Sequence, residues 1–241
     1  MKLLVDAGNT RVKWQLRDHA QILAKGYELT SETLEQLRHW SPAITHIAVS
    51  SVATSDIQEH IKAQLAMLTP VPPVFYAAGA AWNDLRSSYQ FPETMGADRW
   101  HAMVAAWYQR QQGVAVVDAG SALTVDYVAA DGQHLGGYIL PGRRMSLACL
   151  RNDAARINYD VLDQCSVAPG SNTSECVNHG LYWMWSSLSA RLEADCKSYG
   201  LQAVLVTGGD GPLLLGAGLL GEWCPNLVFD GLALISGDGH L

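Results

Sequence analysis

The chain has 241 residues, 49% of them apolar and only 16% charged, with a formal net charge of −7. That length suits one large domain or two small ones with a real core, and the composition excludes a disordered chain. The acidic balance, with no basic cluster longer than Arg143-Arg144, argues against nucleic acid or an anionic membrane as a partner. Five cysteines (Cys149, Cys165, Cys176, Cys196 and Cys224) include no CxxC pair; they read as buried or idle thiols of a reducing cytosol and offer no basis for a zinc site.

MKLLVDAG begins with a short apolar run ending at Asp6, which predicts a strand over 2–6 rather than a signal peptide. No apolar run is long enough to span a bilayer. After a turn at 7–10, Val12, Trp14 and Leu16 alternate with Arg11, Lys13 and Gln15, so a second strand follows. A strand over 47–51 precedes a helix from Ser55 to Met67, with Ser55 and Gln58 spaced as a capping box and Ile57, Ile61, Leu65 and Leu68 on one stripe. Residues 97–111 read as a helix with Trp100, Met103 or Val104, and Trp107 inward, stopped by Gly113.

The opening pattern then recurs. A strand over 114–117 runs into a turn at 118–121, after which Leu123, Val125 and Tyr127 alternate with Thr124 and Asp126. Residues 174–199 form one long helix ending at Gly200, 203–206 a strand running into TGGDG at 207–211, 227–229 a last strand and 231–236 a final helix. The chain therefore divides into two similar halves, 1–112 and 113–241, each headed by strand–VDAG–strand. No Pro/Gly/Ser linker separates them.

A strand ending in Asp, then Gly and small polar residues, turns tightly and points backbone N–H groups at one spot, an anion-binding nest. Gly8 allows close approach, Asn9 and Thr10 add donors, Lys13 supplies a point charge, and Asp6 stands where it can hold a metal on phosphate oxygens. A strand follows, so this is neither a Walker A loop nor a Rossmann fingerprint, both of which need a helix there. One copy would equally be a plain hairpin turn. Two copies and the Gly-rich turn at 207–211 point to a nucleotide, with phosphates at the first two turns and adenosine at the third.

DAGNTRVK at 6–13, GADR at 96–99 with Tyr89 upstream, DAGSALTVD at 118–126, GGYILPG at 136–142 and TGG at 207–209 span nearly the whole chain. In that order they resemble the actin-like, sugar-kinase-like ATPase superfamily and, within it, the type III pantothenate kinase family of bacteria. The resemblance implies an α/β fold of two similar actin-like (RNase H-like) domains, mixed sheets flanked by helices, with the active-site cleft between them. It implies that ATP with Mg2+ phosphorylates pantothenate to 4'-phosphopantothenate, the first step of coenzyme A biosynthesis, in the cytoplasm. The alternatives are a kinase of the same superfamily acting on another small hydroxylated substrate, which a substrate panel would reveal, and a catalytically silent regulatory relative.

Carried onto this sequence, the resemblance implies ATP contacts from Asp6, Ala7, Gly8, Asn9, Thr10, Arg11, Val12, Lys13, Ser121, Gly208 and Gly209, with Asp6 on Mg2+ directly or through water. Asp98 is then the catalytic base, although a carboxylate in a helix's first turn also simply favours the dipole. Tyr89, Gly96, Ala97, Asp98, Arg99 and Thr173 would hold pantothenate. Without the resemblance Tyr89 is a partly buried loop aromatic, Arg99 an exposed arginine paired with a neighbour, and Thr173 an N-cap. Asp118 would serve a monovalent cation, K+ or NH4+, while Asp126 is a second acidic contributor or a solvent-facing strand residue. Ser121 stands where the family usually has Thr; it keeps the hydroxyl, so phosphate bonding should survive. Arg143-Arg144 faces phosphate or is a solvated pair. A homodimer whose partner completes the pantothenate pocket is also implied, and Trp183, Met184 and Trp185 crowd the long helix more than one core contact needs.

Overall fold

The computed structural model describes residues 1–154, 157–162 and 166–237; Cys165 lies outside them. The first sheet is built from Lys2–Ala7 (β1), Arg11–Asp18 (β2), Gln21–Leu29 (β3), His46–Ser51 (β4) and Pro73–Phe75 (β5) in the order β3-β2-β1-β4-β5. The hairpin strands β2 and β3 run antiparallel, whereas β4 and β5 join β1 in parallel. The β4–β5 connection is helical, Ser55–Leu68 (α1), because parallel strands need a long crossover. Ile61 and Leu65 of α1 pack on Leu3, Val5, Ile47 and Val49, which line one face of the sheet.

The capping box expected at Ser55 does not form. Thr54 is the capping residue and makes no side-chain cap bond; Gln58 Nε2 donates instead to Ala53 O at 3.0 Å. A small ladder of Ala81–Trp82 (β6) and Leu85–Arg86 (β7) precedes Ala97–Arg110 (α2), which is buried continuously from Arg99 to Trp107 rather than along one stripe. It ends where Gln111 takes a left-handed φ of 48°, before Gly113 is reached.

The second sheet repeats the first. Val114–Ala119 (β8), Ala122–Val128 (β9), His134–Pro141 (β10), Ala203–Thr207 (β11) and Glu222–Trp223 (β12) lie in the order β10-β9-β8-β11-β12, with the same antiparallel and parallel pairings. Arg143–Asp153 (α3), Thr173–Tyr199 (α4) and Gly211–Gly216 (α5) accompany it. Val117, Leu123, Val125 and Tyr127 meet Trp185 and Leu192 of α4 in its core. Gly200 closes α4 in the left-handed conformation, as its position after the last helical residue suggested. Asp126 is not solvent-facing: it is buried against His134, with Nε2 and Oδ1 3.0 Å apart.

The segment over 227–229, expected as a strand, opens instead the helix Leu227–Ile235 (α6). Apart from Asp230 and Gly231 its residues are all apolar, as in a helix covered on most sides, and so short an apolar run carries no usable period. Phe229, Leu232 and Ala233 cover Leu4 and Ala48 on the face of the first sheet opposite α1. Gly231 runs so close to α2 that a Cβ there would overlap the His101 carbonyl. Arg17, 2% exposed, bonds Asp230 of α6 at 2.7 Å and Gln15, whose amide donates to Asn226. The compact units are therefore Met1–Gln109 with the segment from Asn226 onward, and Arg110–Pro225. This departs from halves of 1–112 and 113–241 by that returning helix. Of the four described cysteines, Cys149 and Cys176 are exposed and Cys196 and Cys224 half-buried, so none is fully buried.

Removing the Asp230 carboxylate strands a buried guanidinium. Asp230→Ala should lower unfolding free energy by roughly 3 kcal/mol in urea; a loss below about 0.5 kcal/mol would mean that the pair does not hold α6 to its sheet.

Candidate active site

Strand register decides what surrounds Asp6. It is the penultimate residue of β1, opposite Lys13 on β2 and Ser50 on β4, and the Lys13 Nζ lies 3.8 Å from its carboxylate. Ser50 follows Ala48, and Asp6 follows Leu4, at two-residue spacing, so both project toward the face that α6 covers. Beyond Asp6 the chain turns, with Gly8 N–H donating to Arg11 O at 3.0 Å. The carboxylate of Asp98, in the first turn of α2, adds a second negative charge beside it. Burial pushes the Asp6 pKa up to about 6; Lys13 pulls it down and Asp98 pushes it further up.

The remaining residues of the first turn are used unevenly. Ala7 and Val12 are core residues, leaving only their backbones for a ligand. Asn9 is tied to the β4–α1 loop, its amide donating to Val52 O and its Oδ1 accepting from Thr54 N–H, both at 3.2 Å. Thr10 O accepts from Thr30 N–H at 3.2 Å, and the Arg11 guanidinium lies 5.1 Å over the Tyr27 ring.

At the entrance to α2, a Cβ on Gly96 would stand 2.7 Å from Asp98 Oδ1, so glycine leaves that carboxylate its room. Asp98 Oδ1 accepts from Arg99 N–H at 2.7 Å, and Ala97 is buried. Arg99 is not exposed: it is 6% accessible, donates from Nη1 to the Tyr89 hydroxyl at 2.9 Å and lies 5.8 Å over that ring. Sequence reasoning missed His101, one turn further on. Its Nδ1 is 2.9 Å from Ser50 Oγ, and burial drives its pKa down to about 3, so the ring is neutral. The available signal was a histidine inside the apolar run WHAMVAAW.

In the second unit Asp118 has the place in β8 that Asp6 has in β1, opposite Thr207 of β11 as Asp6 is opposite Ser50. The TGG turn folds onto it. Gly208, at φ 87°, lies where a Cβ would overlap Asp118 Oδ1 and the Ala119 backbone, and Asp210 N–H donates to Ala119 O at 2.9 Å. Gly142 approaches from the other side, its N–H donating to Ser121 O at 3.2 Å and its Cα facing the Gly120 carbonyl. Ser121 and Gly209 are exposed. Arg143 and Arg144 are not a matched solvated pair: Arg144 is exposed, while Arg143 is half-buried and its charge opposes the upward push of burial on the Asp210 carboxyl.

Thr173 is the first residue of α4, not its cap. Asn172 caps the helix, accepting from Glu175 N–H at 3.0 Å. Thr173 lies at the rim of an apolar groove of about 1130 Å³ lined by Met145, Leu150, Val177, Leu181 and Met184, which begins at Pro141 beside Gly142.

Among the described residues no group of three or more His, Cys, Asp and Glu could enclose a metal. Asp6, whose carboxylate feels the charge of Asp98, offers hard oxygen that suits a divalent ion completed by phosphate oxygens and water rather than an all-protein cage. A cation there would offset the burial, and the lesser push from the Asp98 charge, that raise the Asp6 pKa. Asp118 offers a hard carboxylate oxygen at the second turn, close to where Gly208 and Gly120 pack.

A family model described as type III pantothenate kinase matches residues 2–193. A type III pantothenate kinase of Marinobacter nauticus is 43% identical over all of both chains, and one of Cellvibrio japonicus is 34% identical over 96% of this chain and 95% of its own. Among solved structures, a Campylobacter jejuni protein described as a Baf family transcriptional activator aligns with TM-score 0.62 at 22% identity, over 98% of both chains. The activator of 2-hydroxyisocaproyl-CoA dehydratase from Clostridium difficile, solved with ADPNP bound, aligns with TM-score 0.53 at 12% identity over 99% of this chain and 94% of its own. These likenesses and the paired five-stranded mixed sheets identify the actin-like, sugar-kinase-like ATPase fold.

A carboxyl whose folded pKa is raised from 3.8 to about 6 binds its proton more tightly folded than unfolded. Stability contributed by that proton is present near pH 4 and lost as pH rises through 6. The neutral Asp6→Asn variant should therefore be more stable than the parent at pH 7.5 by on the order of 2–3 kcal/mol, with the gain gone near pH 4. Urea titrations at both values check this, and an equal or opposite effect at the two would overturn it.

Proposed function

From the premise that the chain belongs to the type III pantothenate kinase family, we infer how its residues divide the work of one reaction. The chain phosphorylates pantothenate with ATP and a divalent metal in coenzyme A biosynthesis. The hydroxyl oxygen of pantothenate bonds to the γ-phosphorus, the bond from that phosphorus to the β–γ bridging oxygen breaks, ADP leaves, and the hydroxyl proton passes to a base. Such a transfer asks the protein mainly for alignment and neutralisation of charge.

Asp98 is that base. The observation that carries this reading is that the charge of its carboxylate reaches Asp6 of the phosphate turn, with glycine at position 96 giving it clearance. The backbone of 7–13 cradles phosphate, Lys13 supplies a point charge, and Asp6 holds Mg2+, which when bound neutralises phosphate charge. Asn9 shapes the turn through Val52 and Thr54. Ser121, Gly208 and Gly209 make the ATP contacts of the second unit, the close fit of Gly208 on Asp118 supporting a built turn rather than a loose loop. Arg99, held by Tyr89, and Thr173 bind pantothenate. Asp118 takes K+ or NH4+. The protein works in the cytoplasm as a homodimer, a reading supported by Trp183 and Met184, 59% and 56% exposed on α4 where Trp185 is buried; no described helix is long and apolar enough to cross a membrane.

Assayed by pantothenate-dependent ADP release with Mg2+ and K+ or NH4+, the parent should turn over. Asp98→Asn should lose at least about 10²-fold in kcat with KM values changed only a few-fold, and Asp118→Asn should lose stimulation by the monovalent ion while keeping its Mg2+ requirement. Parent-like turnover in Asp98→Asn removes the base, and an unchanged monovalent response removes Asp118. Light scattering should give twice the 26.1 kDa chain mass; a monomer at assay concentration excludes the homodimer.

A further inference from the structure

The face of the first sheet covered by α6 carries a polar contact that phosphoryl transfer does not itself need. His101 and Ser50 are both 0% exposed, and Nδ1 of the ring lies 2.9 Å from the serine Oγ. The other ring nitrogen, Nε2, is buried with no hydrogen-bond partner among the described residues. A half-satisfied imidazole is a costly occupant of a core. Its neighbours along α2, Ala102 and Met103, are apolar and buried, and an apolar residue of similar size would avoid that cost. Stability alone does not explain a histidine here.

Its position does. Ser50 is the β4 partner of Asp6, and His101 follows Asp98 by three residues, about 60° round the helix and 4.5 Å along it. The His101–Ser50 contact therefore joins the strand beside one carboxylate to the helix carrying the other. The His101 backbone also packs against Gly231 of α6, where a Cβ would overlap its carbonyl, so the helix is held at this one residue by both β4 and α6. Asp6 and Asp98 repel each other, and a helix free to roll or withdraw would relieve that repulsion by moving Asp98 away.

We propose that His101 is a positioning residue which, through Ser50, sets the depth and rotation of the first turn of α2 and so keeps the Asp98 carboxylate aligned beside Asp6. The proposal rests on reading Asp98 as the base. A displacement of about 1 Å from reacting geometry can cost as much as about 10²-fold in rate without loss of binding. The effect belongs in kcat.

Ser50→Ala, His101→Leu and His101→Asn are compared by kcat, by KM for ATP and pantothenate, and by urea midpoint, with rates expressed per folded enzyme. Ser50→Ala and His101→Leu should each lower kcat about 10-fold with KM for ATP within about threefold. His101→Asn, which retains a polar group for Ser50, should recover most of the loss, and the Ser50→Ala/His101→Leu double variant should be no worse than either single. Ser50→Ala placed on Asp98→Asn should cost almost nothing further. If Asp98→Asn abolishes turnover while Ser50→Ala keeps parental kcat per folded molecule, the positioning role fails and the base stands. If Asp98→Asn itself turns over normally, the base reading fails. Should His101→Leu not fold, Ser50→Ala decides, because it removes only a hydroxyl.

Discussion

A carboxylate at the end of a buried parallel strand, set beside a second carboxylate and only loosely answered by a lysine, is an unfavourable arrangement in the absence of a ligand. Asp6 shows this directly, since burial and Asp98 together outweigh Lys13 and lift its pKa to about 6. Repulsion of this kind persists only where the surroundings over-determine the positions of both groups. Here the determinants are ordinary: strand register places Ser50 and Lys13 round Asp6, α2 is buried along nine consecutive residues, and α6 closes behind it through Gly231. On the proposed reading, that unfavourable energy is what a divalent ion and a triphosphate would relieve.

The second unit solves the same problem of a turn after an Asp-bearing strand by other means. Asp118 has the strand position of Asp6, and a hydroxyl residue lies opposite each. In the first unit the turn is fastened by the Asn9 side chain bridging Val52 and Thr54. In the second it is clasped by backbone, with Gly142 on one side and Gly208 on the other, at separations that leave no space for a Cβ. An amide side chain locks one turn and missing side chains lock the other, which explains why the two motifs diverge after their shared VDAG.

Both Asp-Gly turns, the strands around them and the long α4 were legible because their signals are local: period-two alternation, a glycine after the last helical residue, a run of buried β-branched residues. The failures share a cause. Leu227–Phe229 carries no period, and its helix is covered through packing on the face of the first sheet, which local pattern does not show. Ser55 looked like a cap, but Asn9, 45 residues away in sequence from Thr54, bonds the backbone at the true helix start. For Arg99 and Asp126 the pattern left an exposed, solvent-facing placement open as one alternative, because one-dimensional pattern does not show that such charged groups are buried against partners such as Tyr89 and His134.

The amino-acid sequence by itself determined the duplicated strand–turn–strand plan and the identity of the family, since each is written in contiguous letters, and it supplied the acidic, glycine and basic residues from which the proposed site is drawn. Only tertiary structure decided that Asp98 comes to rest beside Asp6, that Gly208 seats on Asp118, that the last helix returns to the first unit and that His101 reaches Ser50. Those pairings join residues tens to more than a hundred positions apart, and the burial and electrostatics that choose them exist only once the chain is folded.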